Sequence, residues 1–326
     1  MNGRVTVLGY GPTGEATVER LRGRGQAVRL VQRKRPPNLP RDVEFQACDV
    51  LQAEDVLSAM RGAEQAVVTI GFEYNGSVWR KAWPKAMANL IAAAEATGAR
   101  IVHIDNLYMY GPQDASLRED MPLTTYGQKP AARAEATRMW MKASAERRIL
   151  WAALRPPDFY GPGVERSHIG GVGFGMIAKG KAATLVMQPD RPHAFAYVPD
   201  IARAAVTLLD APDDAYGQAW HVPCAPTMTP RQILQIGAAA LGEKLRIVSI
   251  PSGLLPLLGI ASPFLREIAE MRFTWNRPYH VDSTKFANRF WSDPTAFELG
   301  ARTTALAFRA SVEAISVNRR GAPAAA

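Results

Sequence analysis

A chain of 326 residues with 47% hydrophobic and 21% charged residues has the balance of a folded globular protein and excludes a disordered one; its length predicts one large α/β domain with a smaller one appended. The net charge of +9 invites a nucleic-acid partner, but the basic residues are spread along the chain with no long cluster and no recognisable module, so no nucleic acid is expected. Two distant cysteines, Cys48 and Cys224, exclude a disulfide framework and a cysteine-rich zinc site, so no metal is expected and a reducing cytoplasm is.

The opening "MNGRVTVLGYG" passes at once into a strand pattern, which predicts no signal peptide. Short β-branched runs at 4–9, 27–32, 43–46, 66–70, 100–104 and 150–154 alternate with helical stretches near 13–24, 53–61, 79–97 and 130–148. That alternation predicts βαβ units and a Rossmann-type doubly wound parallel sheet over 1–155. From 156 the pattern loosens, with a helix at 199–210, a strand-like WHV at 220–222 and helices near 229–241 and 303–315. We read 156–318 mostly as a smaller substrate-binding lobe, with some exchange of chain back to the sheet, and 319–326 as a frayed tail. Gly170, Gly171, Gly173 and Gly175 follow no clear strand and predict a mobile, lid-like loop. The apolar run at 250–264 is broken by Pro and Gly and falls short of the ~20 residues that cross a bilayer, so it reads as a buried segment or pocket wall, with no membrane partner.

"VTVLGYGPTGEATVERL" sets Gly9, Gly11 and Gly14 in G-x-G-x-x-G spacing between a strand and a helix that starts at Pro12 and Thr13. Gly9 permits the tight turn, Gly11 lets backbone approach a pyrophosphate, and Gly14 allows close helix packing. The helix N-terminus then faces the phosphates. The second strand ends on Gln32, where an NAD site would have a carboxylate for the ribose, and continues into Arg33, Lys34 and Arg35. A guanidinium binds a 2′-phosphate that a carboxylate repels, so Arg33 predicts NADP, with NAD as the alternative. Asp49, just after the third strand, either touches the adenine or caps the next helix.

Ligands of a doubly wound sheet sit outside the carboxyl ends of its strands. Three such ends are rich in functional groups: Gly71 to Tyr74, Asp105 to Tyr110 in "HIDNLYMYGP", and Pro157 to Tyr160. Gly71 and Asp105 are expected at the cofactor, and Tyr74, Tyr108, Asp158, Phe159 and His193 at a small-molecule substrate. Asn106 can donate to a substrate carbonyl or shape its own turn. His103 lies within its strand and reads as a satisfied core histidine. For proton transfer the candidates are Tyr126, Tyr108 and Tyr110, with Asp158, His168 and His193 as outsiders.

"ALRPPDFYGPG" at 153–163, "FAYVPDIARAAVTLL" at 195–209 and "HVDSTKFANRFWSDPTAFELGARTTALAF" at 280–308 together resemble the extended short-chain dehydrogenase/reductases, in the NAD-dependent epimerase/dehydratase family. The resemblance implies a nicotinamide-dependent enzyme and homodimers through the helices near 79–97 and 130–148, and it makes Tyr110 a packing residue. The chain departs from the pattern in three places. Its glycine loop is one residue shorter, Asn106 stands where the family has Ser or Thr, and its catalytic Tyr-x-x-x-Lys is degenerate. "TTYGQKPAARAE" offers Tyr126 with Lys129 three residues on and Pro130 in the place of the lysine. A free phenol has a pKa of about 10 and needs a cation beside it to act near neutrality. Pro130 is expected to push Lys129 out of the helix and leave Tyr126 in the preceding loop.

The expected activity is that of an NAD(P)-dependent oxidoreductase on a carbonyl or alcohol, with Asn106 orienting the oxygen and Tyr126, assisted by Lys129, transferring the proton. The alternatives are a nucleotide-sugar epimerase or dehydratase that keeps NAD bound, and a non-catalytic NADP-binding sensor or regulatory protein.

Overall fold

The computed structural model describes residues 3–251, 253, 260 and 262–321. Its central feature is a seven-stranded sheet built from β1 (Val5–Leu8), β2 (Val28–Gln32), β3 (Glu44–Ala47), β4 (Gln65–Val68), β5 (Arg100–Ile104), β6 (Trp151–Arg155) and a late strand, Gln218–His221. The order runs from that late strand through β6, β5, β4 and β1 to β2 and β3, and every pairing is parallel. The chain starts in the middle of the sheet, winds one way to β3 and the other way from β4, so the topological switch lies between β1 and β4. Strands buried on both faces need continuous apolar runs, and VTVL and WAALR are buried at every position.

Helices α1 (Pro12–Gly23), α2 (Ala53–Met60), α3 (Gly76–Thr97) and α4 (Lys129–Ala145) follow the strands. Trp79, Trp83 and Met87 of α3 and Trp140 of α4 lie in one hydrophobic core with Trp151 of β6. Packing within the chain therefore accounts for most of the large apolar residues of these two helices, while Met141 is 47% exposed. His103 is buried in the same region between Trp83 and Trp151, at ring distances of 6.3 and 5.6 Å. It differs from the satisfied core histidine expected: among the described residues neither ring nitrogen has a hydrogen-bond partner.

The chain divides into two compact units. The first comprises Met1–Pro157, Pro199–Pro223 and Val281–Ser292, and the second Asp158–Val198, Cys224–His280 and Asp293–Ala326. In the first unit the late segment around Asp282 and Lys285 clasps the sheet edge. Lys285 donates to the Ala219 carbonyl at 2.7 Å and lies 4.3 Å from the Trp220 ring. His221 donates from Nδ1 to the Asp282 carbonyl, and its Nε2 accepts from Tyr110, whose hydroxyl takes a hydrogen bond from Arg155 at 2.6 Å. Burial pushes the Tyr110 phenol up to about 12, which fits packing and not proton transfer.

The second unit contains two small parallel sheets. In one, β7 (Asp158–Tyr160) pairs with Phe195–Tyr197; in the other, Ala183–Leu185 pairs with Ile247–Ser249. The glycines at 170–175 are not a lid-like loop. They form a π-helical turn, Gly170–Phe174, leading into helix Gly175–Ala178, with Gly170, Gly173 and Phe174 buried. Gly170 packs so closely that a Cβ there would lie 2.0 Å from the Val164 carbonyl oxygen. Most of the 250–264 run, expected as a buried segment or pocket wall, lies outside the described residues, as does the end of the tail. Among the described residues no helix is long and apolar enough to cross a membrane.

Candidate functional site

The glycine loop leaves β1 at the switch point. Gly9 has φ +104°, which only glycine adopts easily, and its Cβ would stand 2.9 Å from the Thr69 carbonyl oxygen. A Cβ on Gly14 would lie 2.2 Å from the Gly9 carbonyl oxygen and 2.7 Å from the Thr69 hydroxyl. These two glycines are required by the protein's own packing. Gly11 is not: its backbone is extended, at φ −75° and ψ −176°, and a Cβ there would meet nothing within 4 Å. The open space above Gly11 adjoins the N-terminus of α1, which starts at Pro12 without a side-chain cap. Anions are stabilised at such a terminus, so the loop fits the pyrophosphate of a dinucleotide. Thr13 is buried in the first turn of α1, and Gly71, in the loop after β4, is exposed and likewise has open space at its Cβ.

Sequence reasoning missed Thr69. Its hydroxyl donates to the Gly9 carbonyl at 3.0 Å and fixes the loop to β4. A polar residue within the apolar run "AVVTI" was the available signal.

After β2, Arg33, Lys34 and Arg35 are all exposed, and Gln32 spends its side-chain amide on the Lys34 carbonyl at 2.7 Å. Asp49 accepts the Leu51 backbone N–H at 3.0 Å, so at least one of its oxygens shapes the local turn.

The "HIDNLYMYGP" stretch divides its polar groups between interior and surface. Asp105 was expected beside the cofactor, but its side chain is 1% exposed and pairs with Arg133 and, at 3.5 Å, with Arg155. Burial alone would raise its pKa; the adjacent guanidiniums overcome that and hold the carboxyl below its ordinary value. Arg133 lies over the Trp83 ring at 3.4 Å, which adds a cation–π contact to the pair. Asn106 is half-buried: its Oδ1 accepts the Tyr108 N–H at 3.0 Å, and its Nδ2 donors make no hydrogen bond to the described residues. The turn role and the donor role are therefore compatible, one for each end of the amide. Tyr108 is half-buried and stacks on Trp79 at 6.2 Å.

Tyr126 lies in the loop before α4 and is 41% exposed. Lys129 corrects the reading of the proline: it is the first residue of α4 and fully buried, with Pro130 beside it in the first turn. Proline's missing N–H costs nothing there, and burial of the lysine stem outweighs the local preference against helix before a proline. The Lys129 ammonium lies 5.0 Å from the Tyr74 ring centre, and Tyr74 packs edge-on against Trp79.

Within the second unit, Asp158, Phe159 and His193 were expected at the substrate, and the fold joins Asp158 to His193 and to a third residue, His168. Asp158 Oδ2 accepts from His193 Nε2 at 2.8 Å and lies 3.6 Å from His168 Nε2. Phe159, next along β7, is half-buried. Burial would raise the Asp158 carboxyl, yet the two imidazoles hold it below its ordinary value.

The model of the NAD-dependent epimerase/dehydratase family matches residues 5–222. No curated protein matches the chain by sequence. Among solved structures, the UDP-glucuronic acid 4-epimerase from Bacillus cereus, in complex with NAD, is 13% identical, with a TM-score of 0.75 over 94% of this chain and 99% of that one. The dTDP-glucose 4,6-dehydratase from Streptomyces venezuelae, with NAD bound, is 18% identical, with a TM-score of 0.76 over 95% and 98%. The UDP-glucose 4-epimerase of Thermus thermophilus, also with NAD, is 20% identical, with a TM-score of 0.72 over 94% and 99%. These likenesses extend the fold over nearly the whole chain, and the family model covers the glycine loop and all seven strands of the sheet, so the chain belongs to the NAD-dependent epimerase/dehydratase family.

Proposed function

We propose that this protein is a nicotinamide-dependent enzyme that moves a hydride to or from the carbon of a carbonyl or alcohol in a small hydroxylated substrate, with sugar nucleotides as the substrate class to test first. The observation that carries the cofactor reading is Gly11: neither backbone conformation nor packing requires a glycine there, and the space it leaves lies at an uncapped helix N-terminus. When bound, the nicotinamide supplies the hydride acceptor or donor. Gly9, Gly11 and Gly14 hold the dinucleotide, with Pro12 and Thr13 opening the helix that faces its phosphates. Asn106 donates to the substrate oxygen through its uncommitted amide, and the exposed Tyr126 exchanges the proton. The structures of NAD-bound epimerases and dehydratases support NAD and sugar nucleotides.

A second reading of the cofactor, NADP, is favoured by the exposed Arg33, Lys34 and Arg35. Calorimetric titration with NADH and NADPH decides between them, and Arg33→Ala should weaken NADPH about tenfold while leaving NADH unchanged. Turnover is then assayed with UDP-glucose and dTDP-glucose. Tight binding of either cofactor with no turnover on these or on simple carbonyl compounds would favour a binding protein over an enzyme.

A further inference from the structure

A cleft of about 410 Å³ opens at the end of the first unit's sheet opposite to the glycine loop. Ala99, Leu150 and Gly217, which stand immediately before β5, β6 and the late strand, line it together with the ends of α3 and α4. Small-molecule sites measure about 300–1,000 Å³, so the volume suffices for a modest ligand. A dinucleotide uses the carboxyl ends of the strands, and this cleft lies at their amino ends.

The two helices that reach the cleft end in the same way but on different residues. At the end of α3, Gly98 takes φ +71° and donates its N–H to the Ala94 carbonyl at 2.8 Å. A left-handed residue commonly closes a helix, and glycine is the usual one because it has no Cβ to strain. At the end of α4, Arg147 N–H donates to the Ser144 carbonyl at 2.9 Å and Arg148 N–H to the Ala143 carbonyl at 3.0 Å. The left-handed residue there, at φ +56°, is Arg147. Every other positive φ among the described residues belongs to a glycine.

The fold itself makes little use of this arginine. Its side chain is exposed, and its guanidinium makes no hydrogen bond or ion pair to the described residues. The helix dipole favours a cation at this end, but α4 already has Lys142 in its last turn and Arg148 just beyond. The neighbouring guanidiniums are engaged. Arg148 binds Glu95 at 2.8 Å and Glu146 at 2.9 Å, and Arg100 pairs with Asp213 at 3.3 Å and lies 4.4 Å from the Tyr216 ring centre. Of the three, Arg147 lines the cleft with its donors uncommitted.

The remainder of the cleft limits the anion that such a cation can take. Asp213, also in its lining, is 72% exposed, and the carbonyl ends of α3 and α4 lie beside it, so a multiply charged phosphate is opposed. Ala94, Ala99, Ile149 and Leu150 supply apolar wall. One carboxylate matches the guanidinium fork with two parallel hydrogen bonds, and hydrocarbon attached to it covers that wall. We propose that this cleft binds a small monocarboxylic acid with an apolar body, its carboxylate held by Arg147. The site stands whichever cofactor and substrate the opposite end of the sheet takes.

The test is calorimetric titration of the full-length protein with hexanoate, benzoate and 4-phenylbutyrate and with the corresponding amides, repeated with saturating NAD. At least one acid should bind about tenfold more tightly than its amide, and NAD should leave that affinity unchanged. Arg147→Gly should weaken the acid by about tenfold and bring it level with the amide. The same variant, without ligand, should unfold at or above the wild-type temperature, because glycine relieves the left-handed strain. Arg147→Lys keeps the charge but not the fork, and should recover only part of the affinity. Absence of binding by all three acids overturns the site. Binding that NAD displaces, or that survives in Arg147→Gly, puts the acid elsewhere and overturns it as well. Inorganic phosphate bound more tightly than the acids overturns a monocarboxylate as the occupant. A melting temperature lowered in Arg147→Gly makes the arginine a residue of the fold, and the ground for the site falls with it.

Discussion

Asp105, fully buried, and Asp158, mostly buried, are carboxylates held between two cationic or potentially cationic side chains, yet their surroundings have opposite characters. Asp105 is enclosed by Arg133 and Arg155, each 2% exposed, in the first unit. Asp158 stands between a sealed His193 and a quarter-exposed His168 in the second. Guanidiniums remain charged at any working pH and bind the carboxylate without offering anything outward. An imidazole has a second nitrogen, so a carboxylate that occupies one leaves the other to a ligand. The first arrangement is closed on itself, and the second leaves one ring partly at the surface.

The sharpest way to break this comparison is to remove each carboxylate. Asp105→Ala leaves Arg133 and Arg155 buried without their counter-charge, and breaking a buried pair in this way costs about 3–5 kcal/mol. Asp158→Asn removes charge but keeps an acceptor oxygen for His193, with an expected cost of about 1–3 kcal/mol. Urea denaturation of the two variants checks the order; a larger loss at Asp158 would make its cluster the structural one.

How much of this was legible in the sequence follows from how far apart the partners lie. The glycine loop was readable because its strand, turn and helix are contiguous and its spacing reports backbone geometry. The sheet was readable because the apolar runs of β1, β2, β4, β5 and β6 are buried at nearly every position. Arg133 was not readable as the partner of Asp105, because α4 and β5 are separated by the loop that carries Tyr126. Asp158 and His193 were both singled out, but nothing local indicated that β7 pairs with Phe195–Tyr197 and brings them to 2.8 Å. Glycines 170–175 were misread because flexibility and close packing use the same residue, and what distinguishes them is neighbours distant in the pattern, such as the Val164 carbonyl beside Gly170 and the Leu234 side chain beside Gly173.

A second contrast concerns protons. His103 and His221, both in the first unit, are buried as neutral rings; burial lowers their pKa values from 6.5 to about 4 and about 3. A histidine that holds its proton less tightly folded than unfolded contributes fully above about pH 6.5 and loses that contribution as pH falls toward the folded value. Between pH 6.5 and 5 each should cost about 2 kcal/mol. Unfolding free energies measured across that window should fall with acidity, and His103→Phe should remove about half of the slope. A slope unchanged in that variant would show that His103 does not stay neutral in the fold.

The glycine loop gives the same contrast between closed and open on a smaller scale. Gly14→Ala drives a methyl group into the Gly9 carbonyl and the Thr69 hydroxyl, and overpacking of this kind costs about 1–3 kcal/mol. Thermal unfolding of the unliganded variant should show it directly.

Gly11→Ala should do the reverse. Any residue adopts its extended backbone, and its methyl group enters open space, so the unliganded protein should unfold at the wild-type temperature. The methyl then occupies the approach to the N-terminus of α1, where a pyrophosphate needs backbone contact. Dinucleotide affinity should fall by about tenfold or more, a loss of about 1.4 kcal/mol seen only in the liganded state. Calorimetry beside a melting curve separates the two terms. If Gly11→Ala bound the cofactor normally, the open space would belong to the solvent, and the glycine at that position would have no physical explanation in this fold. If it lost the cofactor and kept its stability, a residue that the folded chain does not need would have been assigned to the ligand by elimination.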